Sequence, residues 1–140
     1  MKGGCSCGAV RYRLASEPYD TGWCHCRTCQ RISGAPAIVF TTVPRDDFIV
    51  ERGGDAIGVT RPTDFGKRQF CRECGTPLTI AVDFQPETID VAAATLDEPE
   101  RVSPGFHIFF ASHIAWDRPG DDLPRHEGWR PDTRGRENDG

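Results

Sequence analysis

Cys24-His25-Cys26-Arg27-Thr28-Cys29 places three sulfurs and one imidazole within six residues. Two cysteine pairs flank it, Cys5-Ser6-Cys7 and Cys71-Arg72-Glu73-Cys74, and the 140 residues hold no other cysteine. Seven is an odd number, so complete disulfide pairing within the chain is impossible. Met1-Lys2-Gly3-Gly4 leads straight into Cys5 with no apolar segment of signal-peptide length. That start points to the cytoplasm, where thiols stay reduced. Both observations move the cysteines toward metal.

Zinc prefers tetrahedral sulfur and nitrogen donors, and closely spaced pairs deliver two donors from one turn. Cys71 and Cys74, followed by Gly75, have knuckle spacing. Joined in space to Cys5 and Cys7, they would make a closed four-thiolate site with a structural role. Cys24, Cys26 and Cys29 remain. Three thiolates on one zinc leave a fourth position for something exogenous. Such an electron-rich zinc favours a soft ligand, a thiolate above all. Other readings stay open. Cys71 and Cys74 also have thiol–disulfide exchange spacing, without a thioredoxin-like pattern around them. His25, His107 or His113 could fill the fourth position, although His25 lies between two ligand cysteines and is expected to point away from their metal.

Composition narrows the rest. An apolar share of 37% is modest, so metal crosslinks would support a limited core. Fifteen Gly and eleven Pro predict short strands and many turns. A net charge of −4 with no basic run argues against nucleic acid as a partner, and no stretch reads as a membrane span. Alternation and β-branched runs predict strands over residues 9–14, 37–43, 48–51, 57–60, 67–70, 78–82, 88–94 and 107–110. Residues 16–22 read as a loop around Pro18. A short helical turn is predicted over 27–32, stopped at Gly34. The expected fold is mainly β: a single domain, residues 1–130, of short antiparallel strands around two zinc sites. Residues 131–140 form an expected flexible tail, because 132–140 contain no apolar side chain.

Several motifs follow one another in a familiar order. They are Cys5-Ser-Cys7-Gly8-Ala-Val10, Cys24-His-Cys26-x-x-Cys29, Phe70-Cys71-x-x-Cys74-Gly75-Thr-Pro77-Leu78, and His107-Ile108-Phe109 leading to Ala115-Trp116. Ser33-Gly34, Thr88-Ile89-Asp90-Val91 and Asp122-Leu123-Pro124 fall between or after them. In this the chain resembles the glutathione-dependent formaldehyde-activating enzyme family, also called the centromere-protein-V/formaldehyde-activating family, from about Cys5 to about Trp129. The resemblance implies a formaldehyde-activating-enzyme-like β fold around two zinc ions. Cys5, Cys7, Cys71 and Cys74 match the structural ligands, and Cys24, Cys26 and Cys29 match the catalytic ones. The implied activity is a carbon–sulfur lyase type, joining glutathione and formaldehyde as S-(hydroxymethyl)glutathione.

On that reading a thiol held at the open zinc attacks a small aldehyde, and a nearby donor assists the developing alkoxide. His25 and Arg27 are the nearest catalytic candidates in sequence. Arg31, Ser33, Arg68 and Trp116 are candidate substrate contacts, the arginines because glutathione carries two carboxylates. Each arginine reads equally well as a solvated surface residue, and Trp116 as a packing residue. The alternative for the whole chain is a zinc-stabilised binding module without catalysis.

Overall fold

The computed structural model describes residues 1–131. Ten strands form: β1 (Lys2–Gly4), β2 (Arg11–Leu14), β3 (Tyr19–Cys24), β4 (Ile38–Pro44), β5 (Phe48–Arg52), β6 (Ile57–Thr63), β7 (Gly66–Cys71), β8 (Pro77–Val82), β9 (Thr88–Ala92) and β10 (His107–Ile108). One helix, α1 (Arg27–Ser33), separates β3 from β4. On β2, Tyr12 and Leu14 point inward while Arg11 and Arg13 pair with Asp97 and Glu51 outside. That is the period-two pattern of a half-buried strand.

The strands make two sheets. A three-stranded sheet runs β1-β2-β5 and a seven-stranded sheet runs β10-β3-β4-β9-β8-β7-β6. All pairings are antiparallel except β10 with β3, which is parallel. Val10, Tyr12 and Leu14 pack in one core with Val43, Leu78, Ala81, Ile89 and Val91 from the large sheet. The two sheets therefore share a single apolar centre.

The opposite face of the large sheet carries the alternate residues. Thr42 stands beside Asp90, Asp90 beside Ile80, and Ile80 beside Arg68 across four neighbouring strands. Gly22 and Cys24 on β3 face Phe40 and Ile38 in the same way. Because side chains alternate between faces, a one-residue slip would turn this whole row inward. This row becomes the floor of the site.

Two sequence expectations are corrected. Of the loop expected over 16–22, residues 19–22 instead belong to strand β3, paired on both edges; Gly22 is required there because a Cβ would lie 2.2 Å from the Phe106 ring. Gly3 and Gly4 belong to β1, which owes its existence to pairing with β2 rather than to any apolar pattern. The strand expected over 107–110 stops at Ile108, because Phe109 adopts φ +53° and a 3-10 turn follows. The tail expected beyond Pro131 lies outside the described residues. Among those residues no helix is long and apolar enough to cross a membrane.

Gly53 joins β5 to the next turn with φ +80°, and a Cβ would lie 1.9 Å from the Ala9 carbonyl oxygen. Gly53→Ala is expected to cost more than about 2 kcal/mol, from left-handed strain and a backbone clash together. Urea denaturation of the metal-loaded protein would measure it; an unchanged midpoint would contradict this packing.

Candidate metal centres and cavity

Cys5 and Cys7 lie in the turn between β1 and β2, Cys71 ends β7, and Cys74 sits one residue before Gly75 in the left-handed region at φ +81°. Their four Sγ atoms lie within 4.8 Å of one another. Cys5 Sγ is 3.6 Å from Cys7 Sγ, and Cys7 Sγ is 3.8 Å from Cys71 Sγ. A tetrahedron with zinc–sulfur bonds of ~2.3 Å has sulfur–sulfur edges of roughly 3.8 Å. The four thiols fit zinc on that measure. The Val10 N–H donates to Cys5 Sγ at 3.2 Å. The Thr76 hydroxyl, 3.1 Å from Cys74 Sγ, is the first cause that draws this thiol down to about 5.

The second group is built on the β3–α1 junction. Cys24 ends β3, Cys26 is the N-cap of α1, and Cys29 lies in its first turn. The Cys26 sulfur accepts from the Cys29 N–H at 3.3 Å, the role an N-cap oxygen usually fills. Gly34 closes the helix in the left-handed region at φ 68°. The three Sγ atoms lie within 4.8 Å of one another, and among the described residues no fourth His, Cys, Asp or Glu atom completes the group. Hydrogen bonding from Cys24 and Cys29, opposed by burial, draws the Cys26 thiol down to about 2. The donor set is three soft sulfurs on one short segment, which suits zinc with an open position.

Arg68 reaches this group from β7. Its guanidinium donates to Cys29 Sγ at 3.3 Å, and the residue is only 7% exposed. A buried cation is costly unless paired, and here its partner is the Cys29 sulfur. Before the thiols opens a cavity of about 200 Å³. Cys24, Cys26, Cys29 and Arg68 line it together with Phe40, Phe65, Phe109 and Trp129. Thr42 donates to Asp90 at 2.7 Å on its floor. Arg130 bonds Asp20 at 3.0 Å on the same wall.

The other sequence candidates lie elsewhere. His25 is 1% exposed and faces away from the cavity: its Nε2 is 2.8 Å from His107 Nδ1, and its Nδ1 is 3.6 Å from Asp117. Burial first, and His107 second, hold its pKa below the usual histidine range. His107 Nε2 lies 3.0 Å from an Asp121 oxygen, so the chain Asp121–His107–His25 staples the C-terminal segment to the cysteine-bearing turn. Arg27 is exposed and bonds the Gln30 side-chain carbonyl. Gln30 in turn donates to the His25 carbonyl at 2.7 Å. Arg31 is exposed on α1. Ser33 Oγ donates to the Cys29 carbonyl at 2.8 Å and so serves the helix end. Trp116 is 70% exposed and is not part of the cavity lining. Residues that the sequence reading did not single out as lining include Phe40, Phe65, Trp129, Asp90 and Arg130. Trp129 carried the one usable signal, a large apolar side chain inside an otherwise charged and Pro/Gly-interrupted stretch.

Residues 1–112 match the family model described as glutathione-dependent formaldehyde-activating enzyme. A Halomonas elongata protein, named as a candidate enzyme of that description, is 29% identical over 127 residues, covering 83% of this chain and 78% of its own length. A Podospora anserina protein named in the same way is 31% identical over 113 residues, covering 79% of this chain. An uncharacterized lyase of Schizosaccharomyces pombe is 28% identical over 80 residues, covering 57% of this chain. The chain spans little more than half the length of these two fungal relatives, 53% and 56% respectively. Among solved structures, a Rhodobacter sphaeroides protein from a structural-genomics programme superposes with a TM-score of 0.61 at 29% identity, covering 74% of this chain and 92% of its own. With four-fifths of its length matched by that family model and its cysteines gathered into two metal-sized groups, the chain belongs to the glutathione-dependent formaldehyde-activating enzyme family.

Proposed function

We propose that this protein is a zinc-dependent carbon–sulfur lyase that makes and breaks the bond between a thiol and a small aldehyde, with glutathione and formaldehyde as the pair its family supports. One observation carries the reading: three thiols, with no fourth protein donor among the described residues, open onto a cavity beside a buried guanidinium. Zinc held by Cys24, Cys26 and Cys29 would act as a Lewis acid that keeps an entering thiol ionised near neutral pH. The closed group at Cys5, Cys7, Cys71 and Cys74 would hold a second zinc for structure alone.

The chain's own contribution follows from its placement. As the thiolate sulfur bonds the carbonyl carbon, the C=O electron pair moves to oxygen, and a solvent proton completes the hydroxymethyl group. Arg68 is the cation nearest the thiols and supplies the fixed positive charge that a developing alkoxide needs. The aromatic wall limits water around the reacting atoms, which strengthens that interaction. His25 and Arg27 lie outside the cavity lining. Their role is to hold the ligand turn through His107 and Gln30.

Exchange NMR on zinc-loaded protein with glutathione and formaldehyde tests the proposal. Exchange between free and adduct thiol should exceed the uncatalysed rate, which proceeds on its own and must be subtracted. Equal rates with and without protein would remove the reading. Arg68→Met is expected to lower kcat/KM about 100-fold with zinc content unchanged, as for loss of one alkoxide-stabilising donor. A loss of under threefold would take Arg68 out of the chemistry.

A further inference from the structure

The cavity is walled for a ring rather than for a peptide. Trp129 is locked edge-on against Phe65, Phe84 and Phe109, with ring centroids 5.9, 5.2 and 5.0 Å away. Ile80 and Val82 extend the same apolar surface from β8. The wall is therefore built by the fold itself and needs no ligand to form.

Each of its cations already bonds a partner, and the buried Arg68 Nε is left without one. Arg68 donates to Cys29, and Arg130 pairs with Asp20 while stacking over the Phe106 ring at 4.3 Å. A tripeptide thiol would bring two carboxylates and two amides to these surroundings, and burial of such groups without partners is unfavourable. Size points the same way. An apolar cavity of roughly 150 Å³ takes one benzene ring, whereas sites for larger ligands start at about 300 Å³. The cavity here holds about 200 Å³ and opens to solvent, so its walled part takes one ring beside the reacting C–S group.

We propose that the preferred substrate is a thiol–aldehyde adduct whose thiol carries an aromatic or similarly apolar group of about one ring. The ring occupies the Phe65–Phe109–Trp129 wall while the sulfur faces Cys24, Cys26 and Cys29. This rests on the carbon–sulfur reading above and specifies its substrate. The reaction is balanced without a further reagent: the thiol loses its proton to solvent, the aldehyde oxygen takes one from solvent as the S–C bond forms, and the reverse step returns both.

Two measurements on the zinc-loaded full chain test it. The first compares exchange for phenylmethanethiol with formaldehyde against glutathione with formaldehyde, each relative to its own uncatalysed rate. At least a tenfold greater enhancement for the aromatic pair is expected. The second titrates benzyl alcohol, which lacks a thiol, and follows the Trp129 indole N–H resonance, assigned with Trp129→Phe. A saturable shift is expected. Equal or greater enhancement for glutathione overturns the substrate assignment and leaves the carbon–sulfur reading standing. Enhancement of neither pair removes that reading. The benzyl alcohol titration then decides the cavity's preference alone, and an unmoved Trp129 resonance overturns it.

Discussion

Cys26→Ser is expected to leave a folded protein with one of two zinc equivalents and at least a 1000-fold loss of thiol–aldehyde exchange, on the order of 4 kcal/mol of transition-state stabilisation. The fold should survive because Cys26 belongs to the β3–α1 turn and not to the core shared by the two sheets. Serine is also a favoured N-cap, so α1 keeps the bond that the Cys26 sulfur now accepts from Cys29. What disappears is the sulfur. A neutral hydroxyl is a poor zinc ligand, and the two remaining thiols cannot hold the ion in an open geometry. Elemental analysis with circular dichroism reads both halves of the expectation. Loss of both metals together with the β spectrum would make the second group structural as well and end the catalytic proposal.

Cys71→Ser should behave in the opposite way. Cys71 is fully buried at the end of β7, and its group ties the β1–β2 turn to the large sheet. The turn precedes Val10, Tyr12 and Leu14, which supply the small sheet's share of the core. Without a fourth thiolate the metal is weakly held, and a buried hydroxyl stands where sulfur packed. Loss of a structural metal belongs to the few single changes that exceed about 4 kcal/mol. For a domain of this size that is a fall in Tm on the order of 10–20 °C. Thermal melts with and without a chelator measure it. A variant melting at the wild-type temperature would mean that the four thiols do not hold a structural ion.

The Cys24–Cys26–Cys29 group and the Cys71–Cys74 pair were legible in the sequence because covalent spacing alone brings them close, whereas Cys7 meets Cys71 across 64 positions. Cys24, Cys26 and Cys29 need only a turn and one helical turn to converge, and Cys71 and Cys74 need only a knuckle. Most strands were legible for a similar reason, since alternation at Tyr12–Leu14 and Ile89–Val91 is local. Strand β3 was not. Asp20, at φ +50°, and Gly22 dilute its pattern, and only pairing with β4 and β10 makes it a strand. The cavity was the least legible part. Its rings come from β4, the β6–β7 turn and the segments around Phe109 and Trp129, and strand register decides that they meet. Arg68 reads from the sequence as a grip for substrate carboxylates. In the fold its guanidinium is held by Cys29, a partner 39 positions away that no local pattern announces.

Strand β7 carries Arg68 in its middle and Cys71 at its end, three residues and roughly 10 Å apart. The two centres thus hang from one beam. Demetallation should accordingly be ordered: the open centre empties first and refills freely, whereas emptying the closed centre slackens the beam and costs the open one its affinity. Titrating a chelator should give two steps, with recovery complete after the first and partial after the second.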